Sequence, residues 1–174
     1  MSIRVAIALG TILMSWVGVV GFADVLVDYN PWNVPIRDDG SLSSSDLDLS
    51  GAPSGAKITK VKVYYEIRHT YPGDLDVWLT AYYGGSWHDY FLYRKGDLGG
   101  ADDIVETRDN IHHWDGASPN QTWYLSVRDR ASGDVGYIDF FQLWVYYDVN
   151  HAPSLDFSRS AARSAFGSRF RLVP

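Results

Sequence analysis

Lys57-Ile58-Thr59-Lys60-Val61-Lys62-Val63-Tyr64-Tyr65-Glu66-Ile67-Arg68 places Val61, Val63, Tyr65 and Ile67 on one face and Lys60, Lys62, Glu66 and Arg68 on the other. A two-residue period is that of a strand whose side chains alternate between core and solvent. Across the short turn Tyr71-Pro72-Gly73, the run Asp74 to Ala81 repeats the pattern, with Leu75, Val77, Leu79 and Ala81 against Asp74, Asp76, Trp78 and Thr80. Gly73 is expected to take the positive φ of the turn, leaving Asp74 to start the strand with its carboxylate near the sheet end. Shorter runs follow. Tyr90 to Tyr93 comes after the Gly84-Gly85 turn, and Trp123, Leu125 and Val127 alternate with Tyr124, Ser126 and Arg128. Ile138 to Asp148 is apolar on both faces and reads as a central strand. No segment before residue 150 carries an amphipathic helical stripe of useful length, which argues against crossover helices and a parallel sheet. The expected class is all-β, with two antiparallel sheets packed face to face.

Composition agrees. The chain has 174 residues, 15% of them aromatic, enough for one domain with a sizeable core. Cysteine is absent, which excludes disulfides, thiolate metal sites and a thiol nucleophile. The net charge of −6 argues against nucleic acid as a partner, and Arg159, Arg163, Arg169 and Arg171 in the tail make the body more acidic still. Residues 1–23 have the layout of a secretory signal peptide: Arg4, an apolar run from Val5 to Val20, and Gly21-Phe22-Ala23 before Asp24. As a helix the run would span about 24 Å, short of the roughly 30 Å of a bilayer core. The expectation is a secreted chain, extracellular or periplasmic, with no membrane contact after signal removal. Its domain would span 24–150, and its Arg/Ser-rich tail 151–174.

Five blocks between Ile36 and Asp148 resemble the P domain, or Homo B domain, found beside the catalytic domain of kexin- and furin-like and bacterial subtilisin-like serine proteases. They are Ile36-Arg37-Asp38-Asp39-Gly40-Ser41-Leu42; Ile67-Arg68-His69-Thr70-Tyr71-Pro72-Gly73-Asp74-Leu75; Gly99-Gly100-Ala101-Asp102-Asp103-Ile104; Asn120-Gln121-Thr122-Trp123-Tyr124-Leu125-Ser126-Val127-Arg128-Asp129; and Gly133-Asp134-Val135-Gly136 with Gln142-Leu143-Trp144-Val145. The sequence departs from the family pattern in three places. Gln121 replaces the usual glycine, Phe140 or Phe141 the usual tryptophan, and Tyr82-Tyr83-Gly84-Gly85 the common turn. The resemblance implies a jelly-roll-like sandwich of about eight strands. It also implies a non-catalytic module, because the family's Asp, His and Ser catalytic residues lie in a separate domain that nothing here resembles. In the family His69 ends the signature strand, and it is expected to be a buried hydrogen-bonding residue that braces the next turn.

Among metals, the resemblance implies calcium, with Asp74, Asp102, Asp103 and Asp129 as ligands, since calcium takes six to eight oxygens that loops at one sandwich end can supply. The alternative is that Asp74 caps a turn, Asp102 and Asp103 are solvated, and Asp129 pairs with Arg128 or Arg130. His112-His113 is poorly arranged for one ion, because neighbours on a strand point to opposite faces. Asn120-Gln121-Thr122 fits a glycosylation acceptor at Asn120. The partner classes that follow are a separate protease or other extracellular protein, further copies of the chain in an assembly or fibre, and carbohydrate stacked on Trp78 and Trp87. Tyr64-Tyr65, Tyr82-Tyr83 and Tyr146-Tyr147 are each expected to leave one ring outward.

Overall fold

The computed structural model describes residues 23–100 and 103–149. The predicted signal peptide up to Phe22, Asp102 and the tail 151–174 lie outside the described residues. The strands are β1 (Asp24–Asn30), β2 (Val34–Ile36), β3 (Ser43–Leu49), β4 (Ala56–His69), β5 (Leu75–Tyr83), β6 (Ser86–Tyr93), β7 (Ile104–Ile111), β8 (Gln121–Asp129) and β9 (Gly136–Val149). One sheet has the order β1-β9-β4-β7, with β2 also on β9, and the other has the order β3-β8-β5-β6. Every pair is antiparallel. Setting aside the three-residue β2, this is the eight-strand connectivity of a jelly roll. β9 is long enough to take β1 along Phe141 to Tyr147 and β2 along Gly136 to Ile138 on the same edge.

Strict alternation would turn one end of β4 outward, and a bulge prevents it. Pairing with β9 shifts register between Ile58 and Lys60, so Ile58 and Val61, three apart, both face the core. A second shift between Glu66 and Ile67 does the same for Ile138 and Phe141 on β9. Phe141 is therefore the core aromatic, while Phe140 lies outside, stacked on Tyr29 at 5.9 Å. The expected faces of β5 and β8 hold: Leu75, Val77, Leu79, Ala81, Trp123, Leu125 and Val127 are all fully buried. Each such apolar side chain contributes roughly 1.5–3 kcal/mol.

Two expectations need correction. Gly73 lies in a short 3-10 turn, Pro72–Asp74, and its φ is not positive; a Cβ there would sit 2.7 Å from the Leu98 carbonyl, so glycine is required for space. Tyr82 and Tyr83 are both exposed, because they flank the β5–β6 hairpin tip beyond the reach of the second sheet.

Candidate functional site

β4 and β6 end, and β5, β7 and β9 begin, at one end of the sandwich, where β8 also finishes. Antiparallel pairing thus gathers the blocks around His69, Asp74, Asp103, Asp129 and Gly136 into a single loop cluster. At its centre is His69, buried with Asp129. The Tyr71 amide donates to His69 Nδ1 at 3.2 Å, so the ring proton belongs on Nε2. Nε2 lies 3.3 Å from Asp129 Oδ2, an ion-pair distance, yet neither atom completes a hydrogen bond of ordinary geometry. The contact is electrostatic rather than a directed bond. Asp129 Oδ1 accepts from the Ala131 amide at 3.1 Å. The brace expected at His69 is present, and Asp129 pairs with it rather than with Arg128 or Arg130.

Arg130 instead reaches Asp76, Nε to Oδ2 at 2.7 Å, while the Lys95 amide donates to Asp76 Oδ1 at 2.8 Å. Burial would raise the Asp76 carboxyl, but these two donors outweigh it and hold the group below its ordinary value. Asp74 Oδ1 pairs with Lys95 Nζ at 3.0 Å, and its carbonyl accepts from the Arg130 amide at 3.0 Å. Asp103 is at φ 60; its Oδ2 accepts from Arg68 at 2.8 Å and its Oδ1 from the His69 amide at 3.2 Å. The Arg68 bond holds the Asp103 carboxyl low. The same guanidinium also binds Asp139, the residue set free by the second bulge, and Glu66.

Three proposed calcium ligands therefore share one end, each with its own internal partner: Lys95 for Asp74, Arg68 for Asp103, His69 for Asp129. Among the described residues no three carboxylates or imidazoles converge as a metal cage. An ion would have to displace Lys95 or Arg68, so the described donors do not fit calcium as they stand. Sequence reading missed Asp76, Lys95, Arg130 and Asp139. Asp76 and Asp139 lie on strands and Lys95 and Arg130 just beyond strand ends, and pairs at this end join residues up to 71 positions apart.

The remaining candidates sit elsewhere. His112 and His113 lie in the turn after β7 and not on a strand as expected; there His112 contacts Asp115 and Asn110 while His113 packs on Trp114 at 4.8 Å, so the two rings still diverge. Asn120 clamps the backbone of Ala52 from both sides, Oδ1 accepting at 2.9 Å and Nδ2 donating at 2.8 Å. Ser86 Oγ lies 3.0 Å from His88 Nε2, but that nitrogen is also 3.0 Å from the Tyr83 carbonyl. A carbonyl only accepts, so Nε2 carries the proton and is no base for the serine.

The family model of the proprotein convertase P-domain matches residues 58–145, from the signature strand through β9. The chain belongs to the P-domain family. This P domain is 39% identical over 112 residues to a calcium-dependent protease of Trichormus variabilis, covering 61% of the chain and 16% of the relative. It is 35% identical over 114 residues to a transglutaminase-activating metalloprotease of Streptomyces mobaraensis, covering 66% and 14%. Over 111 residues it is 37% identical to leupeptin-inactivating enzyme 1 of Streptomyces exfoliatus, covering 64% and 24%. The P domain thus spans a quarter or less of these relatives. Among solved structures, FLHE superimposes with TM-score 0.51 at 18% identity over 73% of this chain and 98% of that one, a likeness of fold alone.

Proposed function

We propose that this chain is an exported, non-catalytic P-domain module that binds and stabilises a subtilisin-like protease. The observation that carries the non-catalytic part of this reading is the internally paired charge network at the acidic end. Arg68, His69, Lys95 and Arg130 occupy carboxylates that chemistry would need free. With Asp103, Asp74 and Asp76 each held by a cation and Asp129 buried against His69, the end suits a rigid scaffold rather than proton transfer to a substrate. Export rests on the leader-like residues 1–23; among the described residues, no helix is long and apolar enough to cross a membrane. The names of the relatives support a protease as partner.

The test uses the Trichormus variabilis protease with the segment matching this chain deleted. Adding the purified chain in trans is expected to form a complex and to lengthen the half-life of thermal inactivation. No complex and an unchanged half-life would reject the protease-stabilising role. Peptidase activity in the chain alone would reject the non-catalytic one.

A further inference from the structure

The opposite end of the sandwich carries a second feature. The β5–β6 hairpin turns through Gly84 at φ 61 and Gly85 at φ 87, conformations that glycine tolerates best. It presents Trp87 with 58% of its surface exposed. Two neighbouring rings fix that indole: Tyr82 edge-on at 5.1 Å and 69°, and Tyr124 on β8 at 5.6 Å and 72°. With Gln121 and Thr122 these rings line an open cleft of about 540 Å³. Tyr82, Tyr83, Gly84 and Gln121 are positions where the sequence leaves the family pattern, and all four border the cleft.

We propose that this cleft binds a neutral sugar residue of a polysaccharide chain. A pyranose has an apolar C–H face and a rim of hydroxyls, so it needs a rigid exposed ring beside polar groups. Trp87 provides the ring. Gln121 lines the cleft as a polar residue, and its Nε2 has no hydrogen-bond partner among the described residues. Thr122 Oγ1 reaches only a long 3.4 Å contact to Asp48 Oδ1. Charge decides which sugars fit. Asp46 and Asp48 on β3 stand beside Tyr124 and Thr122 in register, which disfavours uronic acids and other anionic sugars. Size decides against a protein. The volume lies within the roughly 300–1,000 Å³ of small-molecule sites, whereas a stable protein interface needs about 20–30 residues a side. The rings sit on paired strands, so they are held in place before any ligand arrives.

The experiment is affinity electrophoresis of the full chain in native gels containing a β-1,3-glucan, a β-1,4-galactan, a β-1,4-mannan, an α-1,4-glucan or polygalacturonate. Retardation by at least one neutral polymer and none by polygalacturonate is expected. Trp87→Ala should weaken that binding about tenfold or more, while Trp144→Ala, on the other sheet beneath Lys62, should leave it unchanged. Melting curves establish that both variants are folded. Failure of every neutral polymer, retardation by polygalacturonate alone, or a Trp87→Ala chain that binds as well as the parent would each overturn the proposal. So would a dimer in light scattering that Trp87→Ala converts to a monomer, which would assign the face to a second copy.

Discussion

His69 on β4 and Asp129 on β8 meet 3.3 Å apart across the space between the two sheets, both closed off from solvent. The pair joins the sheets where their loops diverge, and His69 Nε2 and Asp129 Oδ2 face each other with no hydrogen-bond partner among the described residues. His69→Ala or Asp129→Ala would leave the remaining partner buried without it, at a cost of about 1–3 kcal/mol. Each substitution also strands one backbone amide, that of Tyr71 in His69→Ala and that of Ala131 in Asp129→Ala, so the two losses should be similar. Urea unfolding of the two variants and the double variant measures the coupling. Additive losses would show that the pair does not interact.

Gly136 lies opposite His69 on β9, and the reason it is glycine is space. A Cβ there would fall 2.2 Å from the Arg68 carbonyl and 2.4 Å from His69 Cδ2. Gly136→Ala must therefore push β9 off β4, and a loss of about 3 kcal/mol or more is expected. Gly84→Ala meets no atom within 4 Å but sits at φ 61, so about 1 kcal/mol is expected. Gly99→Ala has open space and no positive φ, and should be neutral or slightly stabilising. Thermal melts of the three test this ordering. A Gly136→Ala chain as stable as Gly99→Ala would contradict the close approach.

These positions also mark what the sequence could disclose. β4, β5, β8 and β9 were legible because their inward faces are apolar at a two-residue spacing. β7 was not, since only its ends, Ile104 and Ile111, are buried; its inward carboxylate Glu106 accepts from the hydroxyls of Tyr65 and Tyr93. β3 escaped for a similar reason, with Ser43 and Ser45 in place of apolar core residues. Trp114 fills the core from a turn, packed on Trp123 at 4.8 Å, and a residue outside any strand leaves no period to read. At the acidic end the sequence picked out His69, Asp74, Asp103 and Asp129 but not the pairing of Asp74 with Lys95 or of Asp103 with Arg68, because those pairs depend on strand register and loop path.

The titrating groups set a window of stability. The Asp76 carboxyl is held below its ordinary value of 3.8, so its contribution is present above about pH 4 and is lost as pH falls through its lowered native value. Asp76→Asn should flatten the acid limb of a stability–pH curve. Tyr65 behaves oppositely. Burial first, and then the bond to Glu106 at 2.8 Å, raise its hydroxyl well above 10.0, so its contribution is present below about pH 10 and fades as pH rises beyond it. Tyr65→Phe should remove part of the alkaline loss. Unaltered limbs in both variants would show that other groups govern the pH response.

Calcium provides the sharpest test of the acidic end. One saturating ion at a hundred times its dissociation constant would stabilise the fold by about 2.7 kcal/mol, visible as several degrees in Tm. With Asp74 on Lys95 at 3.0 Å and Asp103 on Arg68 at 2.8 Å, an ion must break an internal pair for each carboxylate it gains. Much of the binding energy would then be spent on displacing those cations, and little net stabilisation should remain. Exchange of calcium for a chelator is therefore expected to move Tm by less than about 1 °C. Lys95→Met should sensitise the protein to calcium, because Asp74 then loses its cation. A shift of several degrees in the parent chain, abolished by Asp74→Ala or Asp103→Ala, would mean that calcium does displace these pairs. The acidic end would then be an ion site and not a closed brace.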